Sequence, residues 1–191
     1  MMFFKRVLAY LIDCIILFFA ITLVNLFIPI NGSAMEASDK LTELMSEYIE
    51  QKITVEEFNE ETQNINYTIT KGTYISSIVS IGIYILYFVV YQGYNNGQTF
   101  GKRLFKIQVL KEDDRQVDIN TLLIRCLIPY GILVNFILVV MILFVGKSFY
   151  INASSILNSI HTIVIFVTLF MMAIKSKGIH DYLSKTKVVN V

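Results

Sequence analysis

Apolar residues run almost unbroken through residues 7–30, 73–91, 127–145 and 156–174, and between these runs the chain turns polar. A helix needs about 20 largely apolar residues to cross the hydrocarbon of a bilayer, and each run is close to that length. The pattern predicts an all-α membrane protein, a four-span transmembrane helical bundle forming a single membrane domain over residues 1–191. Lys5 and Arg6 precede the first run as they would in a secretory signal. Its apolar core is too long for one, carries Asp13 and lacks a small-residue cleavage pattern, so it reads as a retained anchor.

The polar intervals carry patterns of their own. In residues 31–72, Leu41, Leu44, Met45, Tyr48 and Ile49 recur at helical spacing, and Thr54 followed three residues later by Glu57 has the form of a capping box. Two amphipathic helices are predicted, near 36–51 and 55–65, making a helical insertion within the membrane domain. After the second run, Gly97 and Gly101 free the backbone to turn. Phe100, Leu104 and Phe105 there supply an apolar face beside Lys102, Arg103 and Lys106, as expected of a segment lying on the membrane surface. Partial alternation at 106–110 and 117–119 predicts a short β-hairpin, with 186–189 as a third strand of a small cytoplasmic sheet. Asp118 or Asn120 can cap the third span, and Pro129, about one turn beyond Arg125, predicts a kink.

Composition agrees with this class: 55% of the 191 residues are hydrophobic, 16% are charged and two are proline. The net charge is only +1, yet the charges are segregated. The N-terminus, residues 92–126 and the tail hold twelve of the sixteen lysines and arginines, whereas residues 31–72 hold nine acidic residues. By the positive-inside rule the basic segments face the cytoplasm, giving a multi-pass cell-membrane protein with both termini cytoplasmic and the acidic insertion outside. The sequons at Asn31, Asn66 and Asn152 all fall on the predicted outer side. Cys14 and Cys126 imply no disulfide framework and read as small packing residues. Gly97 to Lys102 lacks the full phosphate-loop spacing, no His, Cys and carboxylate cluster has metal spacing, and no serine sits in a nucleophile elbow. No cofactor, metal, catalytic residue or nucleic-acid partner is therefore expected, and the chain does not read as an enzyme.

Asp13 is the residue most in need of explanation. A carboxylate in hydrocarbon costs roughly 2.5 to 3.5 kcal/mol on insertion scales, so it needs a partner or water. Arg6 shares its helix face two turns earlier, about 10 Å away along the axis, and reaches the headgroups more naturally than it reaches Asp13. Arg125, from the third span, is the expected partner, forming an interhelical clamp. Such a clamp serves a proton or ion site, or simply fixes helix register. His161, Asn158, Ser159, Thr162, Asn25 and Asn135 form a second polar set, read as interhelical packing glue ahead of a polar path.

These residues together resemble the RDD family of bacterial membrane proteins. The likeness lies in Arg6 through Asp13, in Gly97, Gln98, Thr99, Phe100, Gly101, Lys102 and Arg103, in Arg125, and in His180, Asp181, Tyr182 and Leu183 with Thr186, Val188 and Val189. Two departures stand out: Glu112 to Arg115 lacks an Asp-Gly turn, and Lys185 replaces a small residue. The resemblance implies transport of an unspecified ligand, with sodium/proton antiport as one form. Arg6, Asp13, Arg125 and Asp181 would then form an ion or proton site or charge network. Gly97, Gln98, Thr99, Gly101, Lys102, His180 and Thr186 would form its supporting cytoplasmic motif. The expected function is small-solute or ion transport, with cation/proton exchange at Asp13 as its specific form. Four spans are few for a carrier, which points to a homo-oligomer in the lipid bilayer. The alternative is a non-transporting membrane scaffold or accessory subunit that binds other proteins.

Overall fold

The computed structural model describes residues 2–191 and is mainly helical. The first apolar run forms α1 (Met2–Asn25). The second forms α4 (Tyr74–Ile85), which continues through a π-helical stretch, Leu86–Tyr91, into the short α5 (Gln92–Tyr94). The fourth forms α9 (Lys147–Lys175). These three helical units are long and apolar enough to cross a membrane. Exposed Phe18, Phe19, Phe166 and Phe170 on α1 and α9 agree with a surface made for lipid rather than water.

The third apolar run departs from the expected single span. Its first residues, Leu127 to Gly131, are non-helical and part the preceding α7 (Ile119–Cys126) from α8 (Ile132–Phe144), which takes up most of the run. Pro129 cannot donate a backbone hydrogen bond, and Gly131 takes a φ of 64°, so a break replaces the predicted kink. At 13 residues, α8 is about 20 Å long, short of the hydrocarbon thickness by itself.

The insertion is a helical hairpin of α2 (Gly32–Ile49) and α3 (Val55–Gly72), both longer than the periodicity predicts. The Thr54–Glu57 capping box forms, with the Thr54 amide donating to Glu57 at 2.9 Å and the Glu57 amide to Thr54 Oγ1 at 3.2 Å. Tyr48 and Phe58 stack across the hairpin at 4.5 Å. Asp118 caps α7 as expected, accepting from the Thr121 amide at 2.7 Å.

At the opposite end, the short α6 (Phe100–Leu104) lies against α1, its Phe100 and Leu104 exposed as a membrane-surface segment requires. Gly101 permits that approach, since a Cβ there would strike the Ala9 carbonyl oxygen. The predicted three-piece sheet forms only in part: the tail strand joins it as expected, while 117–119 forms no strand. β1 (Ile107–Lys111) pairs antiparallel with the tail strand β2 (Thr186–Asn190), and only an isolated bridge joins Leu110 to Gln116. Both non-glycine departures from the family pattern sit where glycine is favoured: Asp114 has a φ of 65° and Lys185 a φ of 50°. Each is held by its neighbours, Asp114 by Lys187 at 2.7 Å and Lys185 by its carbonyl, which accepts from the Glu112 amide at 3.1 Å. Lys5 Nζ reaches Asn190 Oδ1 at 2.8 Å, so the two ends of the chain meet beside the sheet.

Candidate functional site

Two buried carboxylates organise the end where the termini meet. Asp181 lies on α10 (Ile179–Leu183), the short helix between α9 and β2, and is 0% exposed. Arg6 Nη2 donates to its Oδ2 at 2.6 Å, Arg125 Nη1 donates to its Oδ1, and the Gly178 amide donates to Oδ2 at 2.7 Å. Arg6 Nη1 also donates to the Ser176 carbonyl at 2.6 Å, and Arg125 Nη1 to Thr186 Oγ1. Asp181 thus joins the first helix, α7 and the tail. Burial works to raise its carboxyl pKa, but the charges of Arg125 and Arg6 outweigh that and hold it well below the ordinary carboxylate range.

Asp13, 1% exposed, is held differently. The expected Asp13–Arg125 clamp is not formed, because the Arg125 guanidinium is taken by Asp181 and Thr186. Asp13 instead accepts from Thr99 Oγ1 at 2.5 Å, from the Gly101 amide at 2.8 Å and from the Tyr87 hydroxyl at 2.7 Å. Thr99 is the residue before α6 and also accepts from the Lys102 amide at 3.3 Å. The carboxylate therefore sits against the opening turn of that helix, where free amides favour negative charge. Tyr87 belongs to the π-helical stretch, whose wider turn carries its hydroxyl toward α1.

The motif residues support this arrangement. Gly97 takes a φ of 79° with Val109's carbonyl packed where a side chain would begin. Gln98 Nε2 donates to the Ile107 carbonyl at 2.9 Å, fixing the turn to β1. Lys102 is half-buried, with Nζ 3.2 Å from Gln92 Oε1 and 5.7 Å from the centre of the Phe88 ring. Gln92 in turn donates to the Gly97 carbonyl at 3.0 Å. Ser184 bridges the His180 carbonyl at 2.6 Å and Thr186 Oγ1 at 2.8 Å.

Between these groups lies a cavity of about 160 Å³, lined by Arg6, Asp13, Lys102, Arg125 and His180 among mostly apolar side chains. Pro129 and Tyr130, from the broken third run, close one wall, with Tyr130 stacked on Phe88 at 3.5 Å. A second cavity of about 490 Å³ lies toward the helical hairpin and is lined by uncharged polar residues, including Asn66, Thr70, Asn135, Tyr150 and Asn158. The break is clasped from that side: His161 Nε2 lies 2.9 Å from the Ile128 carbonyl, and Asn135 Nδ2 donates to the Gly131 carbonyl at 3.0 Å. Both carbonyls also accept backbone amides, Ile128 from Gly131 at 3.1 Å and Gly131 from Asn135 at 2.9 Å; the His161 contact ties α9 to the break as the expected interhelical packing does, whereas Asn135 bonds within its own segment.

Of the residues named from sequence, the structure gathers Arg6, Arg125, Asp181, His180 and Thr186 in one node and Asp13, Thr99 and Gly101 in another, where the sequence reading expects a single network. Sequence reasoning misses Tyr87, Gln92 and Thr168. A tyrosine or threonine inside an apolar run is itself a signal, since its hydroxyl needs a partner there. Cys14 and Cys126 are free thiols, Cys126 within the apolar core. Among the described residues no group of His, Cys, Asp and Glu is arranged to hold a metal ion. The family model described as RDD family matches residues 2–185. No curated protein and no solved structure matches the chain.

Proposed function

Because the chain belongs to the RDD family over nearly its whole length, we propose that it is a non-enzymatic, multi-pass protein of the cell membrane that moves a small solute or ion. The observation that carries this reading is the break at Leu127 to Gly131, which borders the charged cavity and is followed one turn later by Asn135 in the wall of the second. Carriers build their binding sites where helices are discontinuous, and moving a solute needs polar groups reachable from both faces. Pro129 and Tyr130 face one cavity and Asn135 the other, so a rearrangement of the His161 and Asn135 hydrogen bonds would change which cavity the break closes.

With both termini at one end, the number of crossings is even. That supports counting α7, the break and α8 together as a fourth crossing. The lysines and arginines gathered at this end support a cytoplasmic location for both termini. A homo-oligomer fits so small a carrier.

Cation/proton exchange at Asp13 is the less supported form. Asp13 is already ringed by three neutral donors, and Arg125, its expected tuning partner, is engaged elsewhere. Three cations, the buried Arg6 and Arg125 and the half-buried Lys102, also outnumber two carboxylates around the cavity, which repels a free cation.

Purified protein in lipid vesicles, supplied with labelled short-chain carboxylates and with sodium against a pH-sensitive dye, tests the reading. Flux above that of protein-free vesicles is expected, slowed about tenfold or more by the double change Pro129→Ala and Gly131→Ala, which together allow the break to close into helix. No flux of any probe overturns it. Sodium-driven proton movement abolished by Asp13→Asn in folded protein would instead select the exchange form. The scaffold reading draws support from exposed Met35, Met45 and Ile49 on the hairpin, and a stoichiometric partner retained in mild detergent would favour it.

A further inference from the structure

We propose that the charged cavity binds a small organic monoanion, an oxyanion head on a short apolar tail of the kind a short-chain carboxylate has, with the Lys102 ammonium as its counter-charge. This names the solute class for the reading above and rests on the cavity being a binding site, not on movement across the membrane.

The first argument is one of charge. Arg6 and Arg125 are committed to Asp181, and both oxygens of Asp13 are taken by Thr99, Gly101 and Tyr87. Lys102 is left with only neutral partners, the Gln92 carbonyl and the face of Phe88. An ammonium drawn out of water without a carboxylate in contact is strongly disfavoured. Burial, opposed by Asp13 and reinforced by Arg125 and Arg6, lowers its pKa to about 7. One uncompensated cation calls for one negative charge.

The second argument is an excess of donors. A guanidinium can only donate, so His180 Nε2, 3.1 Å from Arg6 Nη2, must accept. Burial, with Arg125 adding to it, lowers the His180 pKa to about 3, so the ring is neutral and its single proton rests on Nδ1. That N–H is buried with no acceptor among the described residues, and the buried Thr168 hydroxyl is likewise unpartnered. The two side chains meet beside Gly178, where a Cβ would lie 2.8 Å from Thr168 Cγ2 and 3.1 Å from His180 Nδ1. Both residues line the cavity, and an oxyanion supplies the acceptor that they lack.

The third is size and lining. A cavity of about 150 Å³ lined by aliphatic and aromatic side chains takes up benzene, so the volume of about 160 Å³ here suits a molecule of roughly six heavy atoms, the scale of butyrate. Val7, Leu122, Ile165, Leu169 and Met172 offer apolar wall for its tail.

The charged and titratable groups sharing the cavity with Lys102 are Arg6, Tyr10 and Asp13 on α1, Arg125 and Cys126 on α7, Tyr130 in the break and His180 on α10, with Asp181 behind the arginines. Binding an anion favours protonated Lys102, so affinity falls as pH rises past neutrality.

The test is calorimetric titration of the full-length protein in detergent with butyrate, its neutral isostere butyramide and cationic butylamine. Butyrate should bind about tenfold or more tightly than butyramide, and butylamine should not bind. Lys102→Gln should weaken butyrate about tenfold or more while Lys102→Arg retains it, thermal unfolding showing that each variant is folded. Equal binding of butyrate and butyramide to the unaltered protein, no butyrate binding, or unchanged affinity in folded Lys102→Gln overturns the proposal. If Lys102→Gln does not fold, the butyrate-to-butyramide comparison decides alone. Butyrate binding without any flux leaves the site standing and removes transport. Flux of another solute without butyrate binding does the reverse.

Discussion

Asp13 and Asp181 are buried at the same end of the bundle, and their surroundings differ in kind. Asp181 is gripped by two guanidiniums brought from two distant helices, whereas Asp13 is ringed by a phenol, a hydroxyl and a backbone amide. A carboxylate between two arginines is held by charge, and losing it leaves two cations stranded in a dry site. A carboxylate held by neutral donors is positioned by shape, and its loss strands no opposite charge in direct contact. The first arrangement secures the tail to the helices; the second seats α6 on α1.

The sharpest way to break this contrast is Asp181→Asn. Uncovering Arg6 and Arg125 should cost about 3–5 kcal/mol, read by denaturant titration in detergent. A cost no greater than that of the corresponding change at Asp13 would erase the distinction. The same node sets the response to acid. The folded-state pKa of His180 is depressed to about 3 from 6.5, so the unfolded chain binds the extra proton between those values and stability falls as pH drops through that window. Asp181, also depressed, adds a further loss below its ordinary value of 3.8. His180→Gln should flatten the upper part of that decline in a thermal-unfolding series against pH.

Asp13→Asn is expected to cost about 2 kcal/mol in the same titration, since the Thr99 and Tyr87 hydroxyls can turn to meet an amide while the Gly101 amide still needs the remaining oxygen. Tyr87→Phe, which removes one neutral donor of three, should cost about 1 kcal/mol. A Tyr87→Phe effect approaching that of Asp181→Asn would show that the two sites are held by forces of one kind.

Much of the architecture is legible in the residues because it follows from local pattern. The apolar runs at α1, α4 and α9, the hairpin with its Thr54 cap and the Asp118 cap all follow from periodicity and hydrogen-bonding chemistry. Asp13, Arg6 and Arg125 are legible too, since a charge in or beside an apolar run demands explanation, whereas Asp181 and His180 enter only through the family resemblance. Pairing among them is not. Asp13, Arg125, Arg6 and Asp181 permit several neutral combinations, and the choice depends on how close α6 comes to α1, which Gly101 settles in three dimensions. The sheet is legible in part for a related reason: the tail strand pairs with 107–111 as its alternation predicts, whereas 117–119 forms no strand and leaves only the Leu110–Gln116 bridge. Pro129 marks a bend, but only the left-handed Gly131 two residues later makes it a complete interruption.

The wedding of Arg6 to Asp181 also imposes a timetable on biogenesis. The ribosome delivers Arg6 first and Asp181 some 175 residues later, so α1 enters the bilayer with its guanidinium unclaimed until the last helix and strand emerge. Arg125 waits for the same acid. A chain released early would present two unclaimed cations at the membrane boundary, a ready mark by which quality-control proteases could distinguish an unfinished product from a completed one.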